Sequence, residues 1–105
     1  MSTMRPAAMK PATHLFVCAN ARDPGDALRS ACGEHGPRVY RALKRAVTAA
    51  GLTQSVWLTR TLCLGHCPAS GCAVAIEPAH VHLIDVTESE VAALLQRAQE
   101  LTRTP

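Results

Sequence analysis

Apolar and polar positions along the chain sort into short blocks separated by Gly, Pro and polar residues. Residues 14–18 (HLFVC) form an apolar run ending in a cysteine and predict a strand. Residues 19–35 contain Pro24, Gly25 and Gly33 and read as a loop. From 36 to 50 the pattern becomes helical: Val39, Leu43 and Val47 recur every four residues, with Ala42, Ala46 and Ala50 filling the same side. Pro37 suits the first turn of that helix and Gly51 the residue past its end. Residues 54–59 (QSVWLT) predict a second strand, and 61–72 (TLCLGHCPASGC) a loop crowded with Cys, Gly and Pro. Residues 73–76 and 81–86 predict two more strands joined by a hairpin at 77–80 (EPAH). Thr87 opens a last helix, Glu90 completes a capping box three positions later, and Val91, Leu94, Leu95, Ala98 and Leu101 give it one apolar stripe. The order is strand, helix, strand, then a hairpin closed by a final helix, in short βαββα, with four strands in all. A helical crossover makes the first two strands parallel and the hairpin makes the last two antiparallel, so a mixed sheet covered by two main helices is expected, an α/β fold.

Length agrees with one domain: 105 residues. Residues 1–13 carry two prolines and no periodicity, which predicts a disordered N-terminal tail before a domain at 14–105. A hydrophobic fraction of 48% with 18% charged residues is that of a globular chain. One Phe, one Trp and one Tyr make the core aliphatic and argue against a single-strand binder that stacks bases on aromatics. The net charge of +3 includes no run of five like charges, so no nucleic-acid arm is expected. No apolar stretch approaches the roughly 18–20 residues of a membrane span, and MSTMRPAAMKPAT lacks the apolar middle of a signal peptide. A cytoplasmic protein without membrane contact is therefore expected. In that reducing compartment five cysteines point to metal binding or thiol chemistry rather than to structural disulfides.

Those cysteines are Cys18, Cys32, Cys63, Cys67 and Cys72. Cys18 ends the first strand, and Cys63 and Cys67 follow the second. If these strands are parallel neighbours, their C-terminal ends adjoin, and a flexible loop can bring Cys32 back to them. Four thiolates suit a 2Fe-2S cluster, a 4Fe-4S cluster or a structural zinc. A single tight pair, C-x3-C at 63–67, with thirteen residues between Cys18 and Cys32, is unlike the paired knuckles of a zinc ribbon. The spacing also lacks the runs of bacterial 4Fe-4S and plant-type ferredoxins.

The segments HLFVCANARDPG at 14–25, ACGEHG at 31–36, CLGHCP at 63–68 and the helix opening TESEVAALL at 87–95 resemble the thioredoxin-like 2Fe-2S ferredoxins of Shethna type. The resemblance spans roughly residues 14–101. It implies a thioredoxin-like fold, a 2Fe-2S cluster held by Cys18, Cys32, Cys63 and Cys67, one-electron transfer to a redox partner protein rather than catalysis, and commonly a homodimer. The chain departs from that pattern in two places. Ala69-Ser70-Gly71-Cys72 stands where the family has Gly-Pro, and His80 and His82 stand where it has aromatics. The Gly71-Cys72 pair is similar to a related group of small metal-binding proteins, which lack a clear ACG segment.

Several residues have two readings. Cys72 reads either as a fifth or replacement ligand or as the first residue of a strand facing inward, and the second is expected, since four thiolates already satisfy a 2Fe-2S site. His66 is expected beside the cluster, donating a hydrogen bond to a sulfur rather than ligating. Gly33, Gly65 and Gly71 would let backbone N–H groups approach the sulfurs. His80 and His82 alternate with Val81 and Leu83 as solvent-facing strand residues do, and His35 reads as a loop residue. Arg38, Arg41 and Arg45 share one side of the first helix, either as a docking face for an acidic redox partner or as an ordinary solvated face. A zinc module and an iron–sulfur carrier or sensor are the rivals to electron transfer. A thiol–disulfide oxidoreductase is disfavoured, because Cys63 and Cys67 are not C-x-x-C and no helix follows them.

Overall fold

The computed structural model describes residues 3–20, 31–66 and 68–103. Its elements are β1 (Thr13–Cys18), α1 (Cys32–Ala49), β2 (Val56–Thr61), β3 (Cys72–Glu77), β4 (Val81–Val86), a 3-10 turn at Glu88–Glu90 and α2 (Val91–Thr102). The sheet order is β2-β1-β3-β4. β1 and β2 are parallel, with α1 as the crossover, and β3 runs antiparallel to both β1 and β4. The mixed four-stranded sheet with two helices is thus as expected, and its full order, βαβββα, contains one strand more than the short form written from the sequence.

The pleat decides what is buried. Thr13, Leu15 and Val17 of β1 turn inward, while His14 and Phe16 lie half-covered on the other face, where their rings stack at 4.1 Å. β3 sits inside the sheet and is buried from Cys72 through Ile76. Val39, Leu43 and Val47 of α1 and Val91, Leu94, Leu95 and Ala98 of α2 close the core, and the two helices pack on each other as well as on β1. Burying one such aliphatic side chain contributes about 1.5–3 kcal/mol relative to leaving it in water. Leu101, the last residue of the expected stripe, is exposed. The capping box forms as predicted, with the Thr87 N–H donating to Glu90 Oε1 at 3.1 Å.

Two boundaries differ from the sequence reading. α1 starts at Cys32, four residues before the predicted Gly36 and ahead of Pro37. Its start is anchored by a tertiary bond, the Ala31 N–H donating to Pro68 O at 3.0 Å, while Ala31 O accepts the N–H groups of Glu34 and His35 in the first turn. Cys32 and His35 are therefore helical residues, not loop residues. β2 is displaced two residues from the predicted 54–59. Ser55 O accepts the N–H groups of Ala12 and Thr13 at the strand's entrance, and parallel pairing extends β2 to Thr61 opposite Cys18.

Candidate metal centre

Strand polarity gathers the cysteines. β1 and β2 are parallel and end together, β3 begins at that same end because it runs antiparallel to β1, and α1 starts there after leaving β1. Cys18 is the last residue of β1, Cys32 the first of α1 and Cys72 the first of β3. Cys63 lies two residues beyond β2. Cys67 lies outside the described residues, as does the segment 21–30 with Pro24 and Gly25.

Gly36 sets the close approach. A Cβ built there would stand 2.1 Å from Cys18 O and 2.7 Å from Ala19 Cα, so only a glycine lets the start of α1 rest on the end of β1. Cys18, Cys32 and Cys72 are buried as a result, whereas Cys63 is exposed. Cys72 shares the inward pleat of Val74 and Ile76, as expected for the first residue of a strand. That position also puts it within electrostatic reach of Cys18 and Cys32.

Backbone donors and acceptors surround the sulfurs. The Cys18 thiol donates to Leu62 O at 3.6 Å, and backbone groups of Asn20 and Leu64 bond its sulfur in the sense that favours the thiolate. The Ala73 N–H donates to Cys32 Sγ at 3.4 Å and the Gly65 N–H to Cys63 Sγ at 3.2 Å. Gly65 thus serves the purpose expected of it, with φ +89. Gly71 serves another: its φ is +61, and a Cβ there would meet Asp85 C at 2.4 Å, so it lets the chain pass close to β4.

Burial governs the thiol chemistry. It pushes the Cys18 thiol above its ordinary value, opposed by the two backbone bonds and reinforced by neighbouring Cys32. Burial, followed by the charges that Cys32 and Cys18 would carry, pushes Cys72 up to about 12. Neutral thiols are therefore favoured until a cation arrives, and a coordinated metal would supply the opposing charge. Thr61 Oγ1, opposite Cys18 across β1 and β2, is buried and has no hydrogen-bond partner among the described residues. Thiol sulfurs that accept backbone N–H bonds are the kind of donor an iron–sulfur group takes, and among the described residues no three cysteine sulfurs stand within 4.8 Å of one another. Cys18, Cys32 and Cys63 are the described cysteines of the expected set that offer such sulfurs.

The remaining sequence candidates lie elsewhere. His66, on the cysteine loop, turns away to β4, where its Nε2 sits 2.7 Å from His82 Nδ1. Arg38 and Arg45 lie on the exposed face of α1 near Glu34 (3.9 Å) and Glu88 (3.7 Å), and Arg41 is exposed on the same helix. Exposed pairs of this kind contribute little to stability. Among the described residues no helix is long and apolar enough to cross a membrane.

No protein-family model matches the sequence, and no curated protein does either. Solved structures do match. The wild-type thioredoxin-like 2Fe-2S ferredoxin of Aquifex aeolicus superposes with a TM-score of 0.74 at 24% identity, covering 88% of this chain and 87% of that one. Another structure of a thioredoxin-like 2Fe-2S ferredoxin from Aquifex aeolicus gives 0.73 at 24% identity over 84% and 80% of the two chains. A cysteine-to-serine variant of the ferredoxin gives 0.73 at 23% over 81% and 84%. At such identity the likeness is one of architecture: this chain has the thioredoxin-like fold on which those ferredoxins are built.

Proposed function

We propose that this protein is a one-electron carrier that holds a 2Fe-2S cluster through Cys18, Cys32, Cys63 and Cys67. The observation that carries the reading is the meeting of Cys18 and Cys32 at the end of the sheet, next to the loop of Cys63, on the fold of known 2Fe-2S ferredoxins. When bound, such a cluster supplies a site that gains and loses one electron. The chain's own contribution is to hold the sulfurs, to aim the N–H groups of Ala73 and Gly65 at them, and to shield Cys18 and Cys32 from water. These are the levers that set a cluster's potential. Cys63, and Leu62 at 80% exposure, put one side of the centre at the surface, where a redox partner can come near. The basic face of Arg38, Arg41 and Arg45 is part of the same proposal, as the docking side for an acidic partner.

One observation favours a second reading. Cys72 lies within electrostatic reach of Cys18 and Cys32, so it offers a further thiol to a zinc or a labile iron–sulfur centre once the three sulfurs, which do not all stand within 4.8 Å of one another, draw together. A Cys-to-Ser series separates the two. Electron transfer through the proposed ligands predicts that Cys18→Ser, Cys32→Ser, Cys63→Ser and Cys67→Ser each lose bound iron and sulfide while Cys72→Ser keeps both. Loss of metal in Cys72→Ser, with retention in Cys63→Ser and Cys67→Ser, assigns the centre to Cys18, Cys32 and Cys72.

A further inference from the structure

The β3–β4 hairpin carries side chains that the cysteine centre does not use. Glu77 ends β3, His80 closes the turn and His82 is the second residue of β4. One ligand atom from each lies within 4.8 Å of the others. His80 Nδ1 and Glu77 Oε1 are already 3.1 Å apart, and the rings of His80 and His82 are 5.5 Å between centroids. Ligand atoms about 2.1 Å from a tetrahedral zinc stand about 3.4 Å from one another, so small side-chain rotations close this set around one ion. His80 adopts φ +57, in the left-handed region that most side chains avoid, and this conformation aims its ring back over the hairpin beside Glu77. His66 reaches over from the cysteine loop, and its contact with His82 Nδ1 orients the second ring, as outer-shell partners of metal-bound histidines do.

We propose that Glu77, His80 and His82 form a metal site for a zinc-class divalent cation, separate from the cysteine centre, with His66 as the positioning residue that links the two. Two imidazoles and one carboxylate suit zinc and its neighbours, and not magnesium or calcium, which take oxygen ligands. The ligands are exposed or half-buried, so water completes the coordination and the ion enters directly from solvent. Because His66 adjoins Cys67, an ion on the hairpin tethers the loop that holds two of the proposed cluster ligands.

Cobalt replaces zinc and reports its ligands in the visible spectrum. The full chain is titrated with Co2+, and the same titration is run on His80→Asn with His82→Gln, on Glu77→Gln and on Cys63→Ser. Asn at 80 keeps the left-handed backbone accessible, and far-UV circular dichroism verifies that each variant folds. Besides any Co2+ held by the cysteines, wild type is expected to bind one Co2+ whose ligand-field bands lack sulfur-to-cobalt charge transfer. The histidine double variant should bind that ion at least about tenfold more weakly, Glu77→Gln should weaken it in the same direction, and Cys63→Ser should leave it unchanged. Unchanged affinity in the histidine double variant overturns the proposal and leaves only the 3.1 Å contact of His80 with Glu77. Cobalt that always shows thiolate charge transfer and is lost with Cys63→Ser overturns it as well.

Discussion

Cys63 and Cys72 have the same side chain and opposite surroundings. Cys63 is exposed with the Gly65 N–H on its sulfur, while Cys72 is fully enclosed and pushed up to about 12 by burial and by the neighbouring Cys32 and Cys18. Alkylation needs the thiolate. In metal-free protein at pH 8, peptide mapping should find Cys63 labelled within minutes and Cys72 unlabelled until the chain unfolds. The sign of the stability effect follows from the raised value. The folded state favours the neutral Cys72 thiol, so that contribution is complete below the ordinary value of 9.0 and disappears as pH rises toward about 12. Thr61 gives a second residue-scale prediction. Its hydroxyl is buried without a partner among the described residues, so Thr61→Val should leave metal-free stability unchanged or slightly higher in urea unfolding.

At the scale of elements, the start of α1 is the decisive piece of folding. Gly36→Ala would drive a Cβ into the backbone of Cys18 and Ala19, neither of which can yield as a side-chain tip can. The expected loss is about 3 kcal/mol, at the upper end of overpacking costs, seen as a Tm lowered by roughly 10 °C or more in metal-free protein. Glu90→Ala removes the carboxylate that accepts the Thr87 N–H and should cost about 1 kcal/mol by the same measurement. These two cases also show what was legible in the chain. The capping box was readable because it is local, with Thr87 and Glu90 three residues apart. The true start of α1 was not, because Gly33, Gly36 and Pro37 look like breakers, and the bonds that overrule them come from Pro68 and Ala73 far along the sequence. The two-residue shift of β2 has a similar cause, since its register is fixed by β1 and by Ser55 rather than by its own apolar pattern. Cys18 and Cys63 could be placed at one end of the sheet from the strand pattern, whereas Cys32 was read as part of a flexible loop and instead opens α1. The nearness of Cys72 to Cys18 and Cys32 required the antiparallel placement of β3 against β1, which the sequence pattern left undefined. His66 was expected to face a sulfur, and its partner on β4 has no local signal at a separation of sixteen residues.

For the whole molecule, one end of a mixed sheet brings together β1, β2, β3 and the start of α1, each carrying or immediately preceding a cysteine. The hairpin carries His80 in its turn and His82 on β4, and His66 of the loop after β2 reaches His82. The thioredoxin-like fold here sets the cysteines on several separate segments, so the proposed centre depends on the tertiary structure. Unfolding should therefore release the metal in the same transition that removes the helical signal. The account rests on what the cysteines hold. The most direct measurement is iron and acid-labile sulfide per chain, with the visible spectrum, on anaerobically purified full-length protein. The account predicts a red-brown sample with two irons and two sulfides that bleaches on reduction. A colourless sample that takes up neither iron nor sulfide on anaerobic reconstitution would contradict it.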